Sequence, residues 1–298
     1  MLEGRRGVWY GVAAYLLWGL FPLYWTLLDP ASPLEILAHR IVWSLVFTTA
    51  VIAVRRRWSK VRAAVRDRRT LVLLVAAAML ISVNWGTYIY GVNSGQVVET
   101  SLGYFVNPLV SVALGVVVFR ERLRTVQWVA VGIGLLAVVV LTVDYGRPPF
   151  IALTLAFSFG FYGLIKKLVS VGPTEGLAVE SAVMTLPALV LLAVLTGQGT
   201  AAFGTVSALN TALLMLAGVV TAIPLLFFAA AARRVPLSTL GLLQYLAPLI
   251  QFVLGLVVFA EPMPPGRLAG FALVWLALIV LTLDLARNNR RPVLTPAV

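Results

Sequence analysis

The chain is 298 residues long, 61% hydrophobic and 11% charged, with a formal net charge of +12 and no cysteine. A soluble domain carries roughly 25% charged residues, so this composition excludes an ordinary globular protein and points to a polytopic membrane protein. The lack of cysteine excludes disulfides, thiolate metal sites and cysteine nucleophiles.

Apolar runs recur that are long enough to cross a hydrocarbon core about 30 Å thick. Ten spans are predicted, over approximately 8–28, 35–54, 71–90, 97–119, 126–143, 150–168, 177–195, 208–231, 237–259 and 267–285. Arg5 and Arg6 before the first run resemble a signal peptide. The run is too long and too aromatic for a signal core, however, and the Asp29-Pro30-Ala31-Ser32-Pro33 that follows is not a small-x-small cleavage pattern. The segment is therefore read as a retained first span. Pro22, Pro108, Pro187, Pro224 and Pro248 fall inside spans, where neighbouring helices can satisfy the carbonyls that proline frees.

Lys and Arg set the expected orientation. Arg5 and Arg6, the basic 55–70 connection, Arg120, Arg122, Arg124, Lys166, Lys167, Arg233, Arg234, Arg287, Arg290 and Arg291 all fall on one side, and Arg147 and Arg267 on the other. The positive-inside rule places both termini in the cytoplasm, in a cell (inner) membrane protein. A bias that alternates with each crossing does not build the contiguous basic face of a nucleic-acid binder, so no nucleic acid is expected. The 55–70 segment is suited to lie on anionic headgroups.

The stretch from Pro108 to Asp144 recurs from Pro248 to Asp284 at an offset of 140 residues without a gap, with 14 of 37 positions identical. The informative matches are Pro108/Pro248, Gly115/Gly255, Phe119/Phe259, Glu121/Glu261, Thr142/Thr282 and Asp144/Asp284, and the same offset pairs Glu35 with Glu175. A fixed-period repeat governs the fold. Residues 1–145 form one repeat of five spans, 146–286 a second, and 287–298 a cytoplasmic tail. Five is odd, so the second repeat enters from the opposite side. The charges agree, because Arg120, Arg122 and Arg124 become Ala260, Pro262 and Pro264 in the second copy. Inverted repeats are an architecture of secondary transporters, with the substrate near the midplane.

Two five-helix halves, each with a Pro…Gly…Phe-x-Glu span followed by an apolar partner, resemble EamA domains of the drug/metabolite transporter superfamily. Leu37-Ala-His-Arg-Ile41 and Glu99-Thr-Ser-Leu-Gly-Tyr-Phe-Val-Asn-Pro108 resemble its RarD branch. The resemblance covers nearly the whole chain. It implies an all-α bundle of ten transmembrane helices, a central cavity lined mainly by spans 3, 4, 8 and 9, and carrier-type movement of small organic metabolites or drug-like amphiphiles. It implies export more than import, and it supplies no substrate.

Ionisable groups inside spans are costly and mark function. Arg40 lies within the second span, with His39 before it, Glu35 one turn earlier, and Glu99 at the start of the fourth span. Arg40 can hold a substrate carboxylate or phosphate, and Glu99, Glu35 or His39 can take a coupling proton. The structural alternatives are a locked pair between Arg40 and a Glu, and a Glu99 that serves only its helix dipole. Glu180 is the repeat mate of Arg40, with Lys166 or Lys167 as a possible partner. Glu121 and Glu261 read as interfacial caps.

Polar stripes are the second signal. Thr100, Tyr104, Asn107 and Ser111 share one helix face; Gln244 and Gln251 occupy the repeat-equivalent places of Tyr104 and Ser111; Asn84 and Tyr88 add a third stripe. They either line a wet cavity or hold helices together. Trp18, Trp85 and other aromatics nearby could stack on a substrate, whereas Trp9, Tyr10 and Trp25 are expected in the interfacial belt. Pro108 and Pro248 are candidate hinges, or static bends.

The chain has no phosphate-binding Gly-x-x-x-x-Gly-Lys loop and no Gly-x-Ser-x-Gly elbow, and its one histidine cannot build a His-rich metal site. No cofactor and no metal are expected. The expected partners are a small-molecule substrate and the lipid bilayer, with oligomeric state left open. The leading reading is a secondary transporter, an exporter working by alternating access, with protons as the candidate driving ion. The alternatives are an intramembrane enzyme using Glu99 and His39, and a channel-like facilitator.

Overall fold

The structure is a computed structural model that describes residues 2–120, 123–232, 234–235 and 243–288. Among these residues all regular structure is helical: α1 (Leu2–Gly19), α2 (Phe21–Thr26), α3 (Pro33–Val54), α4 (Trp58–Arg66), α5 (Arg68–Asn93), α6 (Val97–Phe119), α7 (Thr125–Tyr145), α8 (Phe150–Leu168), α9 (Pro173–Gly197), α10 (Ala208–Ala232), α11 (Leu246–Val257) and α12 (Pro265–Asn288). Stretches of α3, α5, α6, α7, α9, α10 and α12 are long and apolar enough to cross a membrane, and α8 and α11 carry shorter apolar helices. With α1 and α2 taken together, these helices line up with the ten predicted spans. The ninth is seen from Leu243 onward, since residues 236–242 lie outside the described part, as do Glu121 and most of the tail. The remaining helix, α4, buries Ala64 and exposes Lys60, Arg62 and Arg66, the form of a helix lying along a headgroup surface.

Local chemistry explains several boundaries. Pro22 has no N–H, so the first span breaks into α1 and α2 and the Trp18 carbonyl loses its helical donor. Gln251 of α11 donates to that carbonyl at 3.0 Å, the kind of substitution that makes proline tolerable in a membrane. Ser32 caps α3, accepting from the Glu35 amide at 3.2 Å with Pro33 in the first turn. This Ser-x-x-Glu stretch has the sequence of a capping box, but the Glu35 carboxylate is used elsewhere. Gly218 lets α10 approach the backbone of α3 at Trp43 and Ser44, where a Cβ would collide with main-chain atoms.

The helix packing carries the mark of the repeat. The offset of 140 residues matches α1–α2 with α8, α3 with α9, α5 with α10, α6 with α11 and α7 with α12. Under this exchange α3·α9, α6·α11 and α7·α12 map onto themselves, and all three pack. The contacts α6·α8, α5·α8 and α3·α10 map onto α1·α11, α1·α10 and α5·α9, and these also occur. The two halves thus interlock as an inverted pair rather than sitting side by side.

Polar pairs clasp the halves at both ends. Asp144, ending α7, takes Arg267 from the start of α12 at 3.2 Å. Its repeat mate Asp284, ending α12, takes Arg124 from the start of α7. The same logic governs Glu35 and Glu175, the third residues of α3 and α9. Glu35 reaches the connection after α9, and Glu175 pairs with Arg57 in the connection after α3 at 3.2 Å. Every described ion pair joins groups expected on the same side of the membrane.

One core cluster joins α6, α7, α8, α11 and α12 around Phe105, Leu141, Phe252 and Phe271. Another joins α2, α3, α5, α8 and α10 around Trp25, Ile36, Ile89, Leu155 and Leu214. The second cluster includes Trp25 and Tyr88, which belong to the site described next.

Candidate substrate site

Arg40 is only 3% exposed, on the buried face of α3. No carboxylate meets it among the described residues, so the alternative of a locked pair between Arg40 and a Glu is not seen there. Its guanidinium instead lies 3.9 Å from the centroid of Trp85, 5.0 Å from Trp25 and 5.8 Å from Phe21. Phe21 and Trp25 are four residues apart on one face of α2, while Trp85 comes from α5. Trp25, expected in the interfacial belt, is therefore fully buried under the cation, because the break at Pro22 turns α2 inward. Trp9, expected in the same belt, is exposed.

Nε and Nη1 of Arg40 are buried without a hydrogen-bond partner, as are the Trp25 indole nitrogen and the Tyr88 hydroxyl. A desolvated cation–π contact returns about 2 kcal/mol. Burying an ion costs several kcal/mol, and each unmet donor about 1–3 kcal/mol more. The rings surround the guanidinium but leave most of this cost uncovered. An anionic group presented to Nε and Nη1 would remove it.

Tyr88 and Tyr104 lie in the neighbourhood of Arg40, and their rings meet edge to face at 5.7 Å. The Tyr104 hydroxyl donates to Asn84 Oδ1 at 3.4 Å. The Asn84 amide donates to the Leu155 carbonyl at 3.0 Å and to Ser158 Oγ at 3.1 Å. Four of the residues singled out by sequence, Arg40, Asn84, Tyr88 and Tyr104, thus share one neighbourhood formed by α3, α5, α6 and α8.

The other stripe residues lie apart from it. Asn107 donates to the Ala156 carbonyl of α8 at 3.0 Å, and Gln251 to Trp18 of α1. Each amide joins its helix to the first helix of the opposite half, so both act as interhelical ties. Ser111 is exposed and Gln244 half-buried, the latter in contact with Tyr245. Along α6, exposure rises from buried Thr100 through half-buried Tyr104 and Asn107 to exposed Ser111. The two candidate hinges differ. Pro108 is inside α6, whereas Pro248 falls in the first turn of α11 as described from Leu246, where a missing N–H costs little.

The predicted proton carriers are tied into the frame. Glu35, fully buried, accepts from the Ala202 amide at 2.9 and 3.0 Å and from the Phe203 amide at 2.9 Å. Glu99 pairs with Arg147 at 2.9 Å and accepts from the Ile151 amide of α8 at 3.0 Å. Glu261, as expected, is a cap: its carboxylate accepts from the Val97 amide at 2.5 Å and the Val98 amide at 3.0 Å, at the start of α6. Burial in its connection raises the Glu261 carboxyl above the usual range, against those two amides. His39 stacks on Phe203 at 4.5 Å, with both ring nitrogens lacking partners. Glu99 and His39 are held by different elements, which disfavours the pairing an intramembrane enzyme would need. No metal-holding cluster of acids and histidine occurs among the described residues.

Sequence reasoning missed Phe21 and Phe203. The i, i+4 spacing of Phe21 and Trp25 was an available signal for Phe21, whereas Phe203 lies in a connection with no periodicity to read.

Residues 5–143 match the model of the EamA-like transporter family. The chain is 56% identical over 289 residues to the RarD protein of Streptomyces exfoliatus, covering 97% of this chain and 92% of that one. It is 42% identical to the uncharacterized transporter YojE of Bacillus subtilis, covering 97% of each. A solved crystal structure 20% identical in sequence shares the fold with a TM-score of 0.61, over 93% of this chain and 97% of that chain. A helical multi-pass membrane chain with this ancestry is a member of the EamA-like transporter family, in its RarD branch.

Proposed function

We propose that this protein is a secondary carrier that exports a small organic molecule bearing an anionic group, with both termini in the cytoplasm. One observation carries the reading: Arg40 is buried among aromatic rings with two unpartnered donors, and no acid among the described residues neutralises it. Buried charges without partners are retained where a ligand supplies the partner. Trp85, Trp25 and Tyr88 would hold the apolar body of the substrate, and Asn84 and Tyr104 its remaining polar groups. Alternating access would come from the two inverted halves, residues 1–145 and 146–286, rocking about α3 and α9. A pore is disfavoured because Arg40 is enclosed by aromatic rings and 3% exposed, with no continuous polar file leading from it among the described residues. Membership of a transporter family disfavours an enzyme.

The test compares metabolites inside and outside cells that lack the protein, overproduce it, or overproduce Arg40→Ala. One compound class should move with the wild-type dose and fail to move with the variant, at equal membrane insertion. Counterflow in vesicles should then be saturable for that class. Unchanged transport by Arg40→Ala would sink the binding role.

A further inference from the structure

The position equivalent to Arg40 in the second half is Glu180 on α9, and the structure gives the two matching surroundings. Arg40 meets Phe21 and Trp25 of α2. Glu180 meets Tyr162 and Lys166 of α8, whose repeat positions are Pro22 and Thr26 on the same part of α2. Tyr162 donates to Glu180 Oε2 at 3.1 Å and Lys166 donates to Oε1 at 2.7 Å. Each half therefore carries one deeply buried charge at the same place, positive toward one end of the bundle and negative toward the other. Glu180 is 2% exposed.

A small void of about 10 Å³ borders both Glu180 and Trp85, together with Ser82, Ser181 and Met184. That is close to the least space that holds a water molecule. Trp85 is the ring against which Arg40 lies, so one indole separates the void beside Glu180 from the Arg40 guanidinium. The Ser181 hydroxyl is buried without a partner.

Among the described side chains, the other charges near Glu180 are accounted for. From α8 come Lys166 and Tyr162. From α3, Arg40 stands behind Trp85, and Arg57, just beyond its end, is held by Glu175. From α5, Ser82 and Trp85 reach the void, and neither ionises. The basic residues of α4 are exposed, and α10 has no ionisable residue.

We propose that Glu180 is the coupling-proton site of this carrier, with Lys166 the charge that a proton displaces. A carboxylate at this depth must be neutralised by an ammonium or by a proton. Lys166 lies two residues from the end of α8 with its side chain 23% exposed, so its stem can carry the ammonium out to the headgroups. When Glu180 binds a proton, the attraction holding Lys166 ends, the ammonium turns outward, and the end of α8 is freed from α9. When the proton leaves, the pair re-forms and ties the two helices again. Glu35 is held by the Ala202 and Phe203 amides, and Glu99 keeps the Ile151 amide even if Arg147 moves, so neither depends on a single mobile ammonium as Glu180 does.

The proposal rests on the carrier reading, and its test is independent of any substrate. The full chain in lipid nanodiscs is acidified from alkaline to mildly acidic pH while infrared difference spectra are recorded, with protons as the only ligand. A protonated-carboxyl band should grow in the wild type, be lost in Glu180→Gln, and shift to higher pH by at least about one unit, a tenfold change in proton affinity, in Lys166→Gln. The same band in Glu180→Gln as in the wild type would overturn the proposal. Should Glu180→Gln fail to insert, an unmoved midpoint in Lys166→Gln overturns it equally. Saturable counterflow without a Glu180 band leaves the carrier and removes the proton site. A Glu180 band without counterflow does the reverse.

Discussion

At the scale of single residues, Arg40 sets function against stability. Its burial costs several kcal/mol that three rings only partly offset. Arg40→Met keeps most of the volume and removes the charge and both unmet donors. It should therefore raise the thermal unfolding temperature of the purified protein while lowering transport at least tenfold, the exchange expected where a site stores unfavourable energy for a ligand. A lower melting temperature would mean that the guanidinium is stabilised by the fold itself. Glu35 should behave in the opposite way. Its carboxylate satisfies the Ala202 and Phe203 amides, so Glu35→Gln should cost about 1–3 kcal/mol and leave the pH profile of transport in place. A shifted profile would return Glu35 to the coupling role that sequence first suggested.

At the scale of elements, the ends of α7 and α12 test the repeat. The Arg267–Asp144 pair is mostly buried, with side chains 16% and 12% exposed, whereas Arg124 opposite Asp284 is 45% exposed. Exposed pairs contribute about 0–1 kcal/mol, and breaking a buried one costs more. Arg267→Gln should therefore destabilise more than Arg124→Gln in denaturant titrations of the purified protein, and equal losses would mean that the two clasps are screened alike. These clasps also mark what was legible in the sequence. Asp144 and Asp284 stood out as repeat matches, but their arginines are not at matching positions, since 124 and 267 differ by three from the 140-residue register. Helix partners are set by packing in three dimensions, and periodicity along one helix does not reveal which neighbour it meets. The same gap explains Asn107 and Gln251. The polar face that each belongs to was readable, but that each would turn to a backbone carbonyl of the opposite half was not. Trp25 was misplaced for a related reason, because its exposure depended on how Pro22 bends the chain.

At the scale of the whole molecule, the interlocked packing requires connections to alternate between the two sides, and the lack of native cysteine makes this directly measurable. Ser94 and Thr200 are exposed in connections expected outside, and Ser59 and Ser170 in connections expected inside. A membrane-impermeant maleimide should label Ser94→Cys and Thr200→Cys in intact cells, and Ser59→Cys and Ser170→Cys only after lysis. The pairs are chosen across the halves. Ser59 and Thr200 follow α3 and α9, which the 140-residue offset makes equivalent, so an inverted repeat demands that they report opposite sides. Labelling of both from the same side would break the inversion, and with it the pseudo-twofold that relates Arg40 to Glu180. Opposite labelling with Ser59 outside would instead keep the inversion and reverse the orientation expected from the basic 55–70 segment. The four variants thus separate the architecture, which the helix packing supports, from its direction in the membrane, which rests on charge alone.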